Sequence, residues 1–369
     1  VANSVPVYVH SWNAFMPGAD SVGALFDRMR TGISSCKAIS DSSVYPEPFY
    51  ASVFNDSFQL IEGFSKLESI LVYCLNGILG PSIAQSENTV FIFSSTKGNI
   101  DLLVPGQAPA AATYLWHTAQ KIASHFGNPN KALTVSNACV SGIMAQNLGH
   151  DLLKSGQYKQ AVVFGADLAS AFVVSGFGSF KAMSAEASKP FDKNRTGINL
   201  GEGAGALILS TEPGTFPVRL TGTGSSNDAN HISGPSRTGD GLLIAIKQAL
   251  KEAGKTADQI DYLSAHGTAT PYNDEMESLA FADAGLSQTP LNSMKGYFGH
   301  TLGAAGLIES CVVLESMKQE LILASKGFEE NGVSGQVNVL RENKPQRIQT
   351  ALKTGSGFGG CNAASVFEV

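Results

Sequence analysis

A chain of 369 residues exceeds one typical domain, so two domains or two fused halves with an ample core are expected. Its formal net charge of -6 excludes the dominant positive field that nonspecific nucleic-acid binding needs, and 39 glycines against 15 prolines suit a tightly turned α/β enzyme rather than a disordered chain. The five cysteines, Cys36, Cys74, Cys139, Cys311 and Cys361, form neither a CxxC pair nor a Cys/His spacing suited to zinc, so reduced thiols and no metal are expected.

In chain order, the opening segment VANSVPVYVHSW lacks a basic stretch followed by an apolar core. No window of about 18 unbroken apolar residues follows, which predicts a cytoplasmic protein without a membrane span. Residues 40–70 show no clear periodicity and stay unassigned. Beyond them, apolar runs bounded by glycine alternate with helical stretches, the pattern of a layered α/β fold. Strands are predicted at TVFIFSS (89–95), QAVVFGA (160–166), GALILS (205–210), YLSAHG (262–267) and ASVFEV (364–369). Helices are predicted over 111–126, 141–156 and 241–254. The last of these places Leu242, Leu243, Ile246 and Leu250 on one face and stops at Gly254.

Two segments, GEGAGALILS (201–210) and GFGGCNAASVFEV (357–369), each run from a glycine-rich turn through small residues into an apolar strand. Upstream of each lies a turn and a small-residue helix, NACVSGIMAQNLGHDLL and GHTLGAAGLIESCVVL. This predicts two similar halves, 1–210 and 211–369, with a site between them that takes a nucleophile from one and its partners from the other.

The nucleophile candidate is Cys139, in SNACVSG (136–142), where small and polar neighbours leave room for an approaching group. It precedes the helix starting near Ser141, whose positive end favours the thiolate. His266, in AHGTAT, and His300, in KGYFGHTLGAAG, both lie in glycine-rich turns rather than on apolar helix faces. The loop GSGFGG (355–360) is not a phosphate loop, since it lacks the Lys-Ser/Thr ending, precedes no helix and feeds the final strand.

These motifs resemble the elongating β-ketoacyl carrier-protein synthases, the condensing enzymes of fatty-acid and polyketide synthesis. The resemblance rests on ACVSG, HGTATPYNDEME (266–277) and KGYFGHTLGAAGLIES (295–310), with FDKNRTGINLGEGAGALIL (191–209) and GFGGCN (357–362) in support. It implies a thiolase-like α/β fold of two similar halves in an αβαβα layering. It also implies a reaction: Cys139 would take an acyl chain from a carrier-protein thioester, and the enolate from decarboxylated malonyl carrier protein would attack it.

In the family pattern His266 and His300 would stabilise the enolate, and Lys295, paired with Glu309, would orient the site. The backbone N–H groups of Cys139 and Phe358 would hold the oxyanion of acyl transfer. Thr268 and Thr270 would bind the pantetheine arm, Phe358 would act as a gate, and Asp274 and Glu277 would be structural. Lys181 would dock the acyl carrier protein, although residues 40–70 lack the basic run that serves docking in housekeeping synthases. Ile143, Met144 and Phe180 would line the acyl pocket, which in the family reaches toward the dimer interface, and Cys361 replaces the usual threonine. No cofactor would be bound beyond the 4'-phosphopantetheine on the carrier. The second subunit would be a copy or a chain-length-factor-like partner, and the compact form suits a specialised polyketide or polyene pathway.

Two rivals come from other classes. A chain-length factor shares the fold but lacks the cysteine. A serine acyltransferase of penicillin-binding type would use SSTK (94–97) and KTG (353–355), yet SSTK ends a strand and no Ser-Asp-Asn lies between them.

Overall fold

The computed structural model describes residues 5–55, 57–104, 106–107, 109–228 and 234–369; the first four residues of the opening segment lie outside them. Among the described residues, eleven strands join in one sheet. They are β1 (Tyr8–Phe15), β2 (Thr89–Ser94), β3 (Leu133–Val135), β4 (Gln160–Asp167), β5 (Gly203–Ser210), β6 (Arg219–Asn227), β7 (Tyr262–Ser264), β8 (Pro290–Asn292), β9 (Asn338–Val339), β10 (Thr350–Gly357) and β11 (Cys361–Glu368). Every residue of β2 and β5 is buried, which is why both strands are uncharged and neither alternates apolar with polar side chains.

The strand order is β9-β8-β7-β10-β11-β6-β1-β5-β4-β2-β3. One end reads β3-β2-β4-β5-β1 and the other β8-β7-β10-β11-β6, so the same connectivity occurs twice. The pairing repeats as well: β2 is parallel to β3 and β4, as β7 is to β8 and β10, and the remaining pairs in each run are antiparallel. The two runs meet at the single pair Tyr8↔Arg219 between β1 and β6.

Helices Ser141–Lys154 and Ala305–Gln319 lie between the two runs, each touching strands of both. Helices Lys66–Asn76 and Leu115–His125 cover the first run from outside, and Asp240–Ala253 covers the second. This is the αβαβα layering expected from the sequence. Ala305–Met317 is buried throughout, as a helix with cover on all sides must be.

The two central helices approach at glycine. A Cβ on Gly142 would sit 2.8 Å from Leu307 N and 3.0 Å from Gly303 O, both backbone atoms that cannot swing aside. Gly142→Ala is therefore expected to destabilise the fold by about 1–3 kcal/mol despite alanine's better helix propensity, read as a lower urea midpoint at unchanged slope.

Several boundaries differ from the sequence reading. The strand expected over 262–267 stops at Ser264, because the His266 and Gly267 amides turn to donate to the buried Glu277 carboxylate. The helix expected over 111–126 is a 3₁₀ turn, Ala111–Thr113, then a helix from Leu115, with Tyr114 extended between them. Helix Asp240–Ala253 ends as expected, with Gly254 left-handed at φ 63°. The unassigned 40–70 region contributes Phe49–Ser52 to a small sheet with Lys37–Ile39 and Leu200–Gly201, and its end opens helix Lys66–Asn76.

Candidate active site

Cys139 sits in the turn from β3 into helix Ser141–Lys154. Ala138 is left-handed there (φ 43°), a costly conformation for a residue with a Cβ, and Ser141 pins it. The Ser141 hydroxyl accepts from Asn137 N at 2.7 Å and donates to the Ala138 carbonyl at 2.6 Å. The thiol is buried yet lines a cavity of about 440 Å³. Ease of ionisation, expected from the helix terminus, is overturned. Burial pushes the thiol up to about 12 and Cys361 adds to this, while Lys295 and the Phe358 N–H pull the other way. Desolvating a thiolate costs more than the roughly half charge of a helix end returns, so the resting thiol is protonated.

His266 follows β7, and His300 follows the short helix Lys295–Phe298. Their rings meet edge to face with centroids 5.0 Å apart, and the Cys139 sulfur and one nitrogen of each imidazole lie within 4.8 Å of one another. Burial, and then the nearby Lys295, hold both imidazoles well below the ordinary histidine range, so both are neutral at neutral pH. Lys295 Nζ lies 3.2 Å from His266 Nδ1 and donates to the His266 carbonyl at 2.5 Å. An ammonium there makes Nδ1 an acceptor, which places the ring proton on Nε2. Both ring nitrogens of His300 are buried and, among the described residues, have no hydrogen-bond partner.

Beneath the histidines Lys295 Nζ donates to Glu309 Oε1 at 2.7 Å, as the sequence pattern anticipated. Sequence reading missed Lys353, a fully buried residue of β10 whose Nζ is 2.6 Å from Glu309 Oε2. Its only signal, a lysine inside the otherwise uncharged strand ALKTGSG, was read as part of a KTG motif. It also missed Asp167, which accepts from Ser95 Oγ at 2.7 Å, Thr96 N at 2.9 Å and Gly303 N at 2.8 Å. Ser94, at the end of β2, and Ser95 beside it are fully buried, which leaves the serine acyltransferase reading without an accessible nucleophile.

Thr268, Thr270, Phe358 and Lys181 all line the Cys139 cavity. The two threonine hydroxyls are 2.8 Å apart. Thr268 N donates to Asp274, and Asn273 Nδ2 donates to Glu277, so both carboxylates brace the His266 loop. Phe358 stacks on Phe177 (5.6 Å, 25°) and meets Phe180 edge-on (5.4 Å, 74°). Phe180 lines the cavity, but Ile143 and Met144 do not. Ile143 packs on Val140 and Cys361 in a small core cluster, and Met144 opens on a separate cavity. The Cys361 thiol donates to the Phe358 carbonyl at 3.3 Å, tying the two ends of the 358–361 turn.

Comparison with known proteins accords with this geometry. Residues 80–213 match the family "Beta-ketoacyl synthase, N-terminal domain" and residues 218–329 the family "Beta-ketoacyl synthase, C-terminal domain". The chain is 32% identical over 257 residues to 3-oxoacyl-[acyl-carrier-protein] synthase 2 of Vibrio cholerae, a match spanning 64% of this chain and 62% of that protein. It is 34% identical over 269 residues to the tetracenomycin polyketide synthase ketoacyl synthase alpha subunit of Streptomyces glaucescens, spanning 67% and 62%. A chain of the complex of ketosynthase ApeO with its chain length factor ApeC, from Xenorhabdus doucetiae, superposes with TM-score 0.87 at 25% identity, covering 99% of this chain and 98% of that one. Two matched halves on one doubly repeated strand order, meeting where a cysteine faces two histidines, place the chain in the beta-ketoacyl synthase family.

Proposed function

We propose that this protein is a β-ketoacyl carrier-protein synthase that extends an acyl chain held on Cys139 by decarboxylative condensation with malonyl carrier protein. The observation that carries this reading is the convergence of the Cys139 sulfur and the two neutral imidazoles within 4.8 Å on one cavity. In the first step Cys139 attacks the acyl thioester of a carrier protein. Its sulfur–carbon bond forms as the pantetheine sulfur leaves, and the thiol proton passes by way of a neutral imidazole to that leaving sulfur. The N–H groups of Cys139 and Phe358 serve the oxyanion of this step. In support, the 357–358 backbone runs against the Cys139 amide, 3.0 Å from where a Cβ on Gly357 would lie.

Malonyl on a second carrier then loses carbon dioxide, and the negative charge gathers on the thioester oxygen. His266 Nε2–H and a His300 N–H donate to that oxygen. The enolate carbon attacks the acyl carbonyl, the Cys139 sulfur leaves as thiolate, and it takes up one proton from solvent to restore the thiol. Thr268 and Thr270 bind the pantetheine arm, which travels with the carrier, so no resident cofactor or metal is required. Two ammonium groups beneath the imidazoles oppose a cation at the same donor set.

The division at 210/211 puts the nucleophile in one half and both histidines in the other, a reading supported by the repeated strand order. Among the described residues no helix is long and apolar enough to cross a membrane, and we place the enzyme in the cytoplasm. Lys181, exposed at the cavity mouth, is the docking residue for the acidic carrier protein. Retention of Cys139 makes this chain the catalytic member of its dimer, whether the partner is a copy or a chain-length factor, and its product belongs to fatty-acid or polyketide synthesis. Intact-mass detection of an acyl adduct after incubation with acyl carrier protein tests the reading, which fails if the adduct persists in Cys139→Ala.

Phe358 gates the cavity. Gly359 beside it is exposed and left-handed (φ 85°), with nothing within 4 Å of an added Cβ, so alanine there brings only backbone strain. Gly359→Ala is expected to slow acylation of Cys139 more than decarboxylation of malonyl carrier protein. Stopped-flow traces of the two half-reactions decide it, since equal slowing assigns Gly359 to the whole site instead.

A further inference from the structure

Lysine is almost never fully buried without a partner that offsets its desolvation. Lys353 is fully buried, yet its carboxylate is already taken. Glu309 Oε1 receives the Lys295 ammonium at 2.7 Å, and Lys353 Nζ approaches the other oxygen at 2.6 Å, so two lysines share one carboxylate. Burial holds Lys353 below the ordinary lysine range, with Glu309 pulling it back toward the charged form and Lys295 opposing that. What else Lys353 holds explains its place. Its Nζ donates to the Ala265 carbonyl at 3.1 Å and lies 3.3 Å from the Ser264 carbonyl, the last two residues before His266. Strand register agrees, since Lys353 pairs with Ser264 where β10 runs parallel to β7.

We propose that Lys353 is a second positioning residue of the site, fixing the His266 backbone and keeping a surplus positive charge beneath both imidazoles during enolate formation. This rests on the condensing reading above. The titratable groups facing the imidazoles are Lys295 from the short helix, Glu309 from helix Ala305–Gln319, Glu277 from helix Pro271–Asp283, Cys139, and Lys353 from β10. Glu277 does not compensate the surplus by contact: its oxygens accept from His266 N, Gly267 N and Asn273 Nδ2. A positive potential here favours an enolate oxygen and disfavours an imidazolium. It thereby keeps the ring N–H groups as neutral donors.

The test compares Lys353→Met, which keeps volume without charge, Lys353→Gln, which keeps a donor without charge, and Lys353→Arg, which keeps charge. Decarboxylation of malonyl carrier protein is expected to fall about tenfold or more in the Met and Gln variants. KM and single-turnover acylation of Cys139 should change little, and Lys353→Arg should recover part of the loss. In NMR titrations without substrate, the His266 and His300 resonances should titrate at higher pH in the uncharged variants and not in Lys353→Arg. If Lys353→Met does not fold, the Gln and Arg pair carries the same comparison. Equal impairment of Gln and Arg, or unshifted histidine titrations, overturns the proposal. Because the titrations need no turnover, they judge Lys353 even if the parental protein makes no β-ketoacyl product, the outcome that would instead overturn the proposed function.

Discussion

Cys139→Ala is expected to reduce condensation by at least about ten-thousandfold, because no other group can hold the acyl chain and the two-step route disappears with the sulfur. The fold should survive. The side chain faces the cavity rather than a packed core, and the turn around it is held by Ser141, Asn137 and the Ala138 carbonyl, none of which uses the sulfur. Removing a buried thiol whose ionisation burial opposes leaves no unpaired charge behind. The variant should therefore show a melting temperature within a few degrees of the parent, no acyl adduct by intact mass, and no β-ketoacyl product from acyl and malonyl carrier proteins. Product formed at the parental rate by folded Cys139→Ala would remove the nucleophile assignment and the proposed chemistry with it.

The convergence of Cys139, His266 and His300, the trio proposed to be catalytic, was legible because its members lie in small-residue turns rather than on apolar helix faces. SNACVSG and the glycine turn before His300 hold glycines that a close backbone approach explains, Gly142 and Gly299, where a Cβ would meet backbone within 2.8 Å, while Gly267 in AHGTAT is left-handed (φ 47°) and packed against the Ser293 side chain. Lys353 was hidden for the opposite reason. Nothing in a strand's alternation announces that a lysine turns inward, and its partner Glu309 lies 44 positions away in sequence. Asp167, closing an ordinary apolar strand, was hidden likewise, since its donors come from both halves of the chain. The 40–70 region held one readable signal, Ser65-Lys-Leu-Glu68 ahead of an apolar run, which the structure displays as a complete capping box. Ile143 and Met144 do not line the Cys139 cavity, because a helix presents successive residues to different neighbours, so adjacency to Cys139 in sequence does not bring exposure to that cavity.

The two histidines should separate the half-reactions differently, and His300 more cleanly. Its ring is buried and neutral, and among the described residues neither nitrogen has a protein partner, so apart from its edge-to-face contact with His266 it holds nothing in place that alanine would release. Unpaired buried nitrogens cost stability, which offsets part of the packing lost on truncation. His300→Ala should accordingly lower decarboxylation of malonyl carrier protein by about a hundredfold to a thousandfold, the scale for losing one preorganised oxyanion donor. Cys139 should still be acylated, and the melting temperature should hold. His266→Ala should lose decarboxylation on a similar scale but at a structural cost, because the Lys295 ammonium 3.2 Å from Nδ1 forfeits that acceptor inside a buried ion-pair row. Its melting temperature should fall, and acylation should slow in step with the disturbed Lys295–Glu309 geometry. Carbon dioxide release and single-turnover acylation, measured side by side on both variants, decide the matter. Parental decarboxylation in either variant would deny that imidazole a place on the enolate oxygen, and loss of acylation in His300→Ala would make His300 the base of the first step instead.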